Sequence, residues 1–125
     1  MNVLLDELRT RPEDCIILVE GRKDKEALAT LGIDGGVVLV QGAGTLFSIA
    51  EDLAARNLGA IILTDWDRKG GQIAQLLRNA LKANGVPYND SIRAKMSQMS
   101  KKEIKDIESL PSFIDYLTRR KQEMR

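Results

Sequence analysis

CIILVEGRKDKEAL (residues 15–28) and AIILTDWDRKGGQIAQLL (residues 60–77) are the two stretches that decide the fold. Each begins with a short run of branched aliphatic residues without polar alternation, the pattern of a strand buried on both faces. The first run ends on an acid, Glu20, and the second leads into Asp65 and Asp67. Each then passes through a glycine into a segment with apolar residues at helical spacing.

VVLVQ at 37–41 reads as a further buried strand. A helix from about Arg22 to Leu31, stopped by Gly32, precedes it, and a turn at 42–45 follows, whose Thr45 can cap a helix through roughly Asn57. Leu4, Leu5 and Leu8 predict an opening helix ended by Pro12, and Ile73, Leu76, Leu77 and Leu81 predict a helix from about Gln72 to Asn84. SIRAKM at 91–96 reads as a fourth strand. KKEIKDIESL then gives a short helical turn, and Pro111 stands at the first position of a final helix carrying Phe113, Ile114 and Leu117. Strands alternating with helices over short connections predict an α/β fold with a central parallel sheet of about four strands, Rossmann-like or flavodoxin-like. In the order 2-1-3-4 the topological switch point lies between strands one and three, at their carboxyl ends.

The 125 residues predict one domain over 1–125, with a core at about 13–100, an N-terminal helix and a C-terminal helical extension. At 43% hydrophobic and 30% charged residues, with no long apolar run and no basic, cleavable leader, the chain reads as soluble, cytoplasmic and without a membrane partner. A single cysteine, Cys15, and no histidine exclude an intrachain disulfide, a thiolate zinc cage and histidine-based catalytic triads. Metal chemistry here must rest on carboxylates, hard oxygen ligands that favour Mg²⁺, Ca²⁺ or Mn²⁺. Residues 1–62 hold six basic and ten acidic side chains and residues 63–125 thirteen and eight. A basic second half suits a polyanion, and equally suits solvated helix faces.

Glu20, Asp65 and Asp67 should converge at the switch point. Crowded acids repel one another, which makes a divalent cation a natural occupant, and Mg²⁺ takes only one or two carboxylates beside water and substrate oxygens. The competing reading makes Asp65 or Asp67 a helix cap and Glu20 a solvated strand end. Asp24 lies in a first helical turn, where the dipole alone stabilises an acid, and a metal role is the alternative. Arg22, Lys23, Lys25, Arg68 and Lys69 flank the same edge; cations disfavoured at helix N-termini suit phosphate contact there, or simply solubilise the surface. Gly21 either lets the chain turn away sharply or merely loosens a loop. Trp66 reads as packing and Glu108 as a surface ion pair. Gly42-Ala43-Gly44 lacks the third glycine of a dinucleotide fingerprint, which leaves no nucleotide cofactor reading.

The strand-terminal Glu20-Gly21 and the DxDxxG of Asp65, Asp67 and Gly70 bracket one βα unit. In this they resemble the Toprim domain of topoisomerases, bacterial-type primases, repair nucleases and a ribosomal-RNA maturation nuclease. The whole chain is similar to small stand-alone archaeal Toprim proteins described as primase-like. The resemblance implies a three-layer Rossmann-like fold, a general acid or base at Glu20, and Mg²⁺ (or Mn²⁺) at Asp65 and Asp67. Asp24 matches an acid of the nuclease-like branch, and Gly21, Arg22, Lys23, Arg68, Lys69 and Gly70, at the same edge, are the residues expected to lie against substrate. Lys69 and Gly71 stand where topoisomerases add an acid, and neither Tyr88 nor Tyr116 has the context of a strand-passing nucleophile. The expected function is a Mg²⁺-dependent nuclease on RNA or DNA; the alternatives are a non-catalytic nucleic-acid-binding module of a larger assembly and a small-molecule phosphotransfer domain.

Overall fold

In the computed structural model, which describes residues 1–42, 44–100 and 102–123, the quoted aliphatic runs are neighbouring parallel strands. The strands are β1 (Cys15–Val19), β2 (Val37–Leu39), β3 (Gly59–Ile62) and β4 (Tyr88–Asn89), and the helices are α1 (Asn2–Arg9), α2 (Arg22–Thr30), α3 (Leu46–Ala55), α4 (Arg68–Ala83), α5 (Ser91–Ser100) and α6 (Leu110–Glu123). The sheet order is β2-β1-β3-β4 with every pairing parallel. Ile17 stands opposite both Val37 and Ile61, so β1 is central.

The absence of polar alternation has its cause in two apolar layers. Successive side chains of a strand point to opposite faces. Ile17, Val19, Ile61 and Leu63 therefore pack with Leu5, Leu8, Leu28, Met96 and Leu110 on one side. Ile16, Leu18, Ala60 and Ile62 pack with Ile49, Leu53, Leu77 and Leu81 on the other. Helices α1, α2, α5 and α6 cover the first face and α3 and α4 the second, giving three layers. Gly32, at φ +79°, ends α2 in a left-handed conformation that side chains avoid.

Three expectations change. Residues 91–96 are helical, not a strand: Asn89 Oδ1 accepts from the Ser91 and Ile92 N–H groups and starts α5, while Ile92 and Met96, one turn apart, are buried. The fourth strand is instead the short Tyr88–Asn89. Helix α4 begins at Arg68 rather than Gln72, because Asp67 caps it. In α6 the first residue is Leu110, and Pro111 follows it. The β2 pairing ends at Leu39, yet the Val40 and Gln41 N–H groups still donate to the Val19 and Glu20 carbonyls at 2.8 and 3.2 Å. The expected turn at 42–45 and the helical turn after residue 100 include Ala43 and Lys101, which lie outside the described residues.

Candidate functional site

Glu20 is the residue after β1 and Asp65 lies three residues beyond β3, so the parallel pairing delivers both to the same rim. Glu20 Oε2 accepts from the Asp65 N–H at 2.8 Å, joining residues 45 apart in sequence. Asp65 Oδ1 accepts from the Ile107 N–H at 3.0 Å, Asp24 Oδ2 from the Gly21 N–H at 3.0 Å, and Asp67 Oδ1 from the Gly70 N–H at 2.7 Å. Among the described residues, each of the four carboxylates is thus anchored through one oxygen by a main-chain donor. The second oxygens of Asp24 and Asp67 receive no hydrogen bond from them, while the Glu20 and Asp65 carboxyls lie close enough to share a proton.

Glu20 and Asp24 are only 6% and 7% exposed, burial that an acid does not reach without partners. Burial pushes the Asp65 carboxyl up to about 7; the Ile107 N–H opposes this, while the charges of Asp24 and Glu20 and a hydrogen bond to Glu20 add to it. Burial also raises Asp24, opposed by the Gly21 N–H and aided by Glu20, Glu108 and Asp106. Crowded, desolvated carboxylates of this kind take up either a proton or a cation.

The glycine of DxDxxG has a steric reason. A Cβ on Gly70 would lie 1.9 Å from the Asp65 carbonyl oxygen, so only glycine lets the first turn of α4 approach the end of β3. The Thr64 hydroxyl donates to the Gly70 carbonyl at 2.8 Å and closes the same turn. Gly70 is itself buried, so its part in the site is to shape the loop. Gly21, by contrast, has extended backbone at φ −146°, and an added Cβ would meet Gln41 Oε1 at an ordinary 3.7 Å. Nothing in the backbone there demands glycine.

The flanking cations are exposed. Arg22 lies 3.9 Å from Glu26 and Lys23 3.9 Å from Glu108, loose surface pairs worth little energetically. Lys25, Arg68 and Lys69 make no ion pair among the described residues. Trp66 packs against the first apolar layer, and its indole N–H donates to the Ile104 carbonyl at 2.8 Å. Its main-chain N–H donates to the Lys105 carbonyl at 2.8 Å, so residues 104–107 strap the Asp65-Trp66-Asp67 loop.

Two contributors escaped the sequence reading. One is that strap, which acts through backbone groups and leaves no side-chain signature. The other is Arg93 of α5, whose Nε and Nη2 donate to the Thr64 and Asp65 carbonyls at 3.0 and 2.7 Å. Asn89 before Ser91, followed by Ile92 and Met96 at helical spacing, was the signal that would have placed it on a helix.

The donor set fits a hard divalent cation by its chemistry: all oxygen, on carboxylates that are each anchored by one main-chain N–H. The fit is partial in geometry. Glu20, Asp65 and Asp24 interact electrostatically, whereas Asp67 is turned onto its own helix as the cap. Among the described residues no group of three or more acids, cysteines or histidines stands in metal-holding geometry. A cavity of about 930 Å³ is elsewhere, at the amino ends of β1 and β3, where Arg11, Cys15, Gly59, Tyr88 and Lys95 line it. Among the described residues no helix is long and apolar enough to cross a membrane.

Known proteins resemble the chain in sequence and in fold. A "UPF0292 protein" of Methanosarcina barkeri is 39% identical over 102 residues, covering 82% of this chain and 71% of that protein. One from Methanocaldococcus jannaschii is 31% identical over 113 residues, covering 90% and 88%. A solved structure described as a putative protein from Aquifex aeolicus superposes with a TM-score of 0.73 at 26% identity, covering 87% of this chain and 96% of that one. The Toprim domain model matches residues 15–99, which span β1 to β4 and all four carboxylates. Toprim domains as a class bind divalent metal ions and act on nucleic acids. By its sequence match and its fold, the chain belongs to the Toprim domain family.

Proposed function

We propose that this protein is a Mg²⁺-dependent nuclease acting on phosphodiesters of RNA or structured nucleic acid, with Glu20, Asp65 and Asp67 as its chemical groups. The observation that carries the reading is the meeting of Glu20 with Asp65 across two parallel strands at the switch point, where ligands of open α/β sheets bind. A bound Mg²⁺ would supply charge neutralisation at the phosphoryl oxygens and orientation of the attacking water.

Asp65 and Asp67 offer the hard oxygens that would hold the ion, and Asp24 adds negative charge behind them. Glu20, buried beside Asp65, is placed to hold or accept a proton near the scissile phosphate. Arg22, Lys23, Arg68 and Lys69 stand at the starts of α2 and α4, where they would take the flanking backbone. Gly70 lets the first turn of α4 close onto the end of β3, and Gly21 begins α2 beside Glu20. Labelled RNA and DNA incubated with Mg²⁺ or Mn²⁺ test this directly, comparing wild type with Glu20→Gln and Asp65→Asn. Cleavage undiminished in both variants would rule the mechanism out.

One observation favours a non-catalytic nucleic-acid-binding module instead: Asp67 is committed to capping α4 and Asp65 Oδ1 to the Ile107 N–H. Salt-sensitive binding without cleavage under any divalent ion would select that reading.

A further inference from the structure

Arg93 occupies a position that none of its structural contacts fully explains. It reaches from α5 to the end of β3, where its Nε and Nη2 bond the Thr64 and Asp65 carbonyls. Nη2 lies 3.8 Å from where a Gly71 Cβ would stand, so the guanidinium also borders the first turn of α4. It thus sits between the two structures that shape the carboxylate loop. The neighbouring carboxylate Asp90 is taken by Arg78 at 2.6 Å, and among the described residues no acid lies within ion-pair distance of Arg93.

A guanidinium has five N–H groups in a planar fork, and here two are used, both on neutral acceptors. No buried side-chain nitrogen among the described residues lacks a partner, so Nη1 of Arg93, which bonds none of them, is not sealed inside the protein. The result is a cation fixed in orientation, partly desolvated, in no ion pair among the described residues, and near enough to Glu20, Asp65 and Asp67 to feel their charges. Holding two carbonyls alone needs no permanent charge. A fork held from behind and open in front matches a phosphate oxygen, the acceptor that guanidinium groups bind most specifically.

We propose that Arg93 is a substrate-binding residue: its inner N–H groups lock onto the end of β3 while its outer N–H groups take a non-bridging oxygen of the nucleic-acid phosphate held at the carboxylates. This rests on the nucleic-acid reading of the site given above. It differs from the roles of Arg22, Lys23, Arg68 and Lys69, which are exposed and free to reorient, because Arg93 is held in place before any ligand arrives.

The test is equilibrium binding of a short labelled RNA or DNA oligonucleotide, with Ca²⁺ in place of Mg²⁺, across a series of salt concentrations. Arg93→Gln should weaken binding about tenfold and reduce the slope of log affinity against log salt by about one phosphate contact, while Arg93→Lys keeps the slope. A purely structural Arg93 would change the thermal midpoint and leave that slope alone. A wild-type slope in Arg93→Gln therefore overturns the assignment while the nucleic-acid reading stands; no binding by the wild type overturns that reading and the assignment with it. Should Arg93→Gln fail to fold, the Nη1–H signal of Arg93 in the wild-type chain decides by NMR, since Nε is already held by the Thr64 carbonyl. It is expected to shift on adding the oligonucleotide, and an unmoved signal refutes the contact.

Discussion

The two rims of the sheet divide volume from chemistry. The amino rim holds a cavity of about 930 Å³, but its lining brings no pair of acids into contact among the described residues. The carboxyl rim carries the buried Glu20 and Asp24, the half-buried Asp65 pushed up to about 7, and the starts of α2 and α4. Parallel strands cause the asymmetry, since every strand ends on the same side and every following helix starts there. A site for phosphate chemistry is therefore found by converging charge and main-chain N–H groups rather than by the size of a hole.

The largest expected effect separates the rims directly. Glu20→Gln and Asp65→Asn should each lower divalent-dependent cleavage by about two to three orders of magnitude. Lys95→Ala, on the amino rim, should leave it at the wild-type rate. Equal losses from both rims would break the comparison. Gly70→Ala should cost on the order of 3 kcal/mol or more, read as a lowered denaturation midpoint, because the added carbon meets a main-chain oxygen that cannot swing aside.

Proton linkage sharpens the contrast. Asp65 is raised from 3.8 in the unfolded chain to about 7 in the folded one, so between these values the native state binds more protons. The metal-free protein should then lose stability as pH rises from about 4 to about 7, and Asp65→Asn should flatten that dependence in thermal melts. The smallest effect concerns Asp67. Asp67→Ala should cost about 1 kcal/mol through the lost cap of α4, whereas Asp67→Asn, an equally good cap, should stay within a few tenths. If Asp67→Asn keeps its stability and also keeps full divalent-dependent activity, the residue is a cap and nothing more.

How far the site could be read in advance differs residue by residue. Glu20 and Asp65 were legible because strand ends follow from aliphatic runs, and parallel connections then place those ends together. Trp66 as a packing residue and Glu108 in a surface ion pair followed from local reasoning, while the partner, Lys23, came from the structure. Asp67 was ambiguous, since an acid before a helix satisfies the rule for a cap and the rule for a ligand alike. Arg93 was missed because weak alternation in SIRAKM outweighed the cap signal of Asn89, so a helical residue facing the loop was assigned to a strand.

What the chain alone determined is the α/β class, the parallel sheet and the rim on which its acids meet; the order 2-1-3-4 entered only as a condition, which the tertiary structure met. Each rests on hydrophobic periodicity and on the single favoured hand of parallel crossovers, both of which act locally. Which oxygen of each carboxylate is occupied, the strap of residues 104–107 and the reach of Arg93 to two carbonyls came only with the tertiary structure. These depend on main-chain donors and acceptors from segments 28 to 45 residues apart, and a backbone N–H carries no mark in the sequence of the partner it will find.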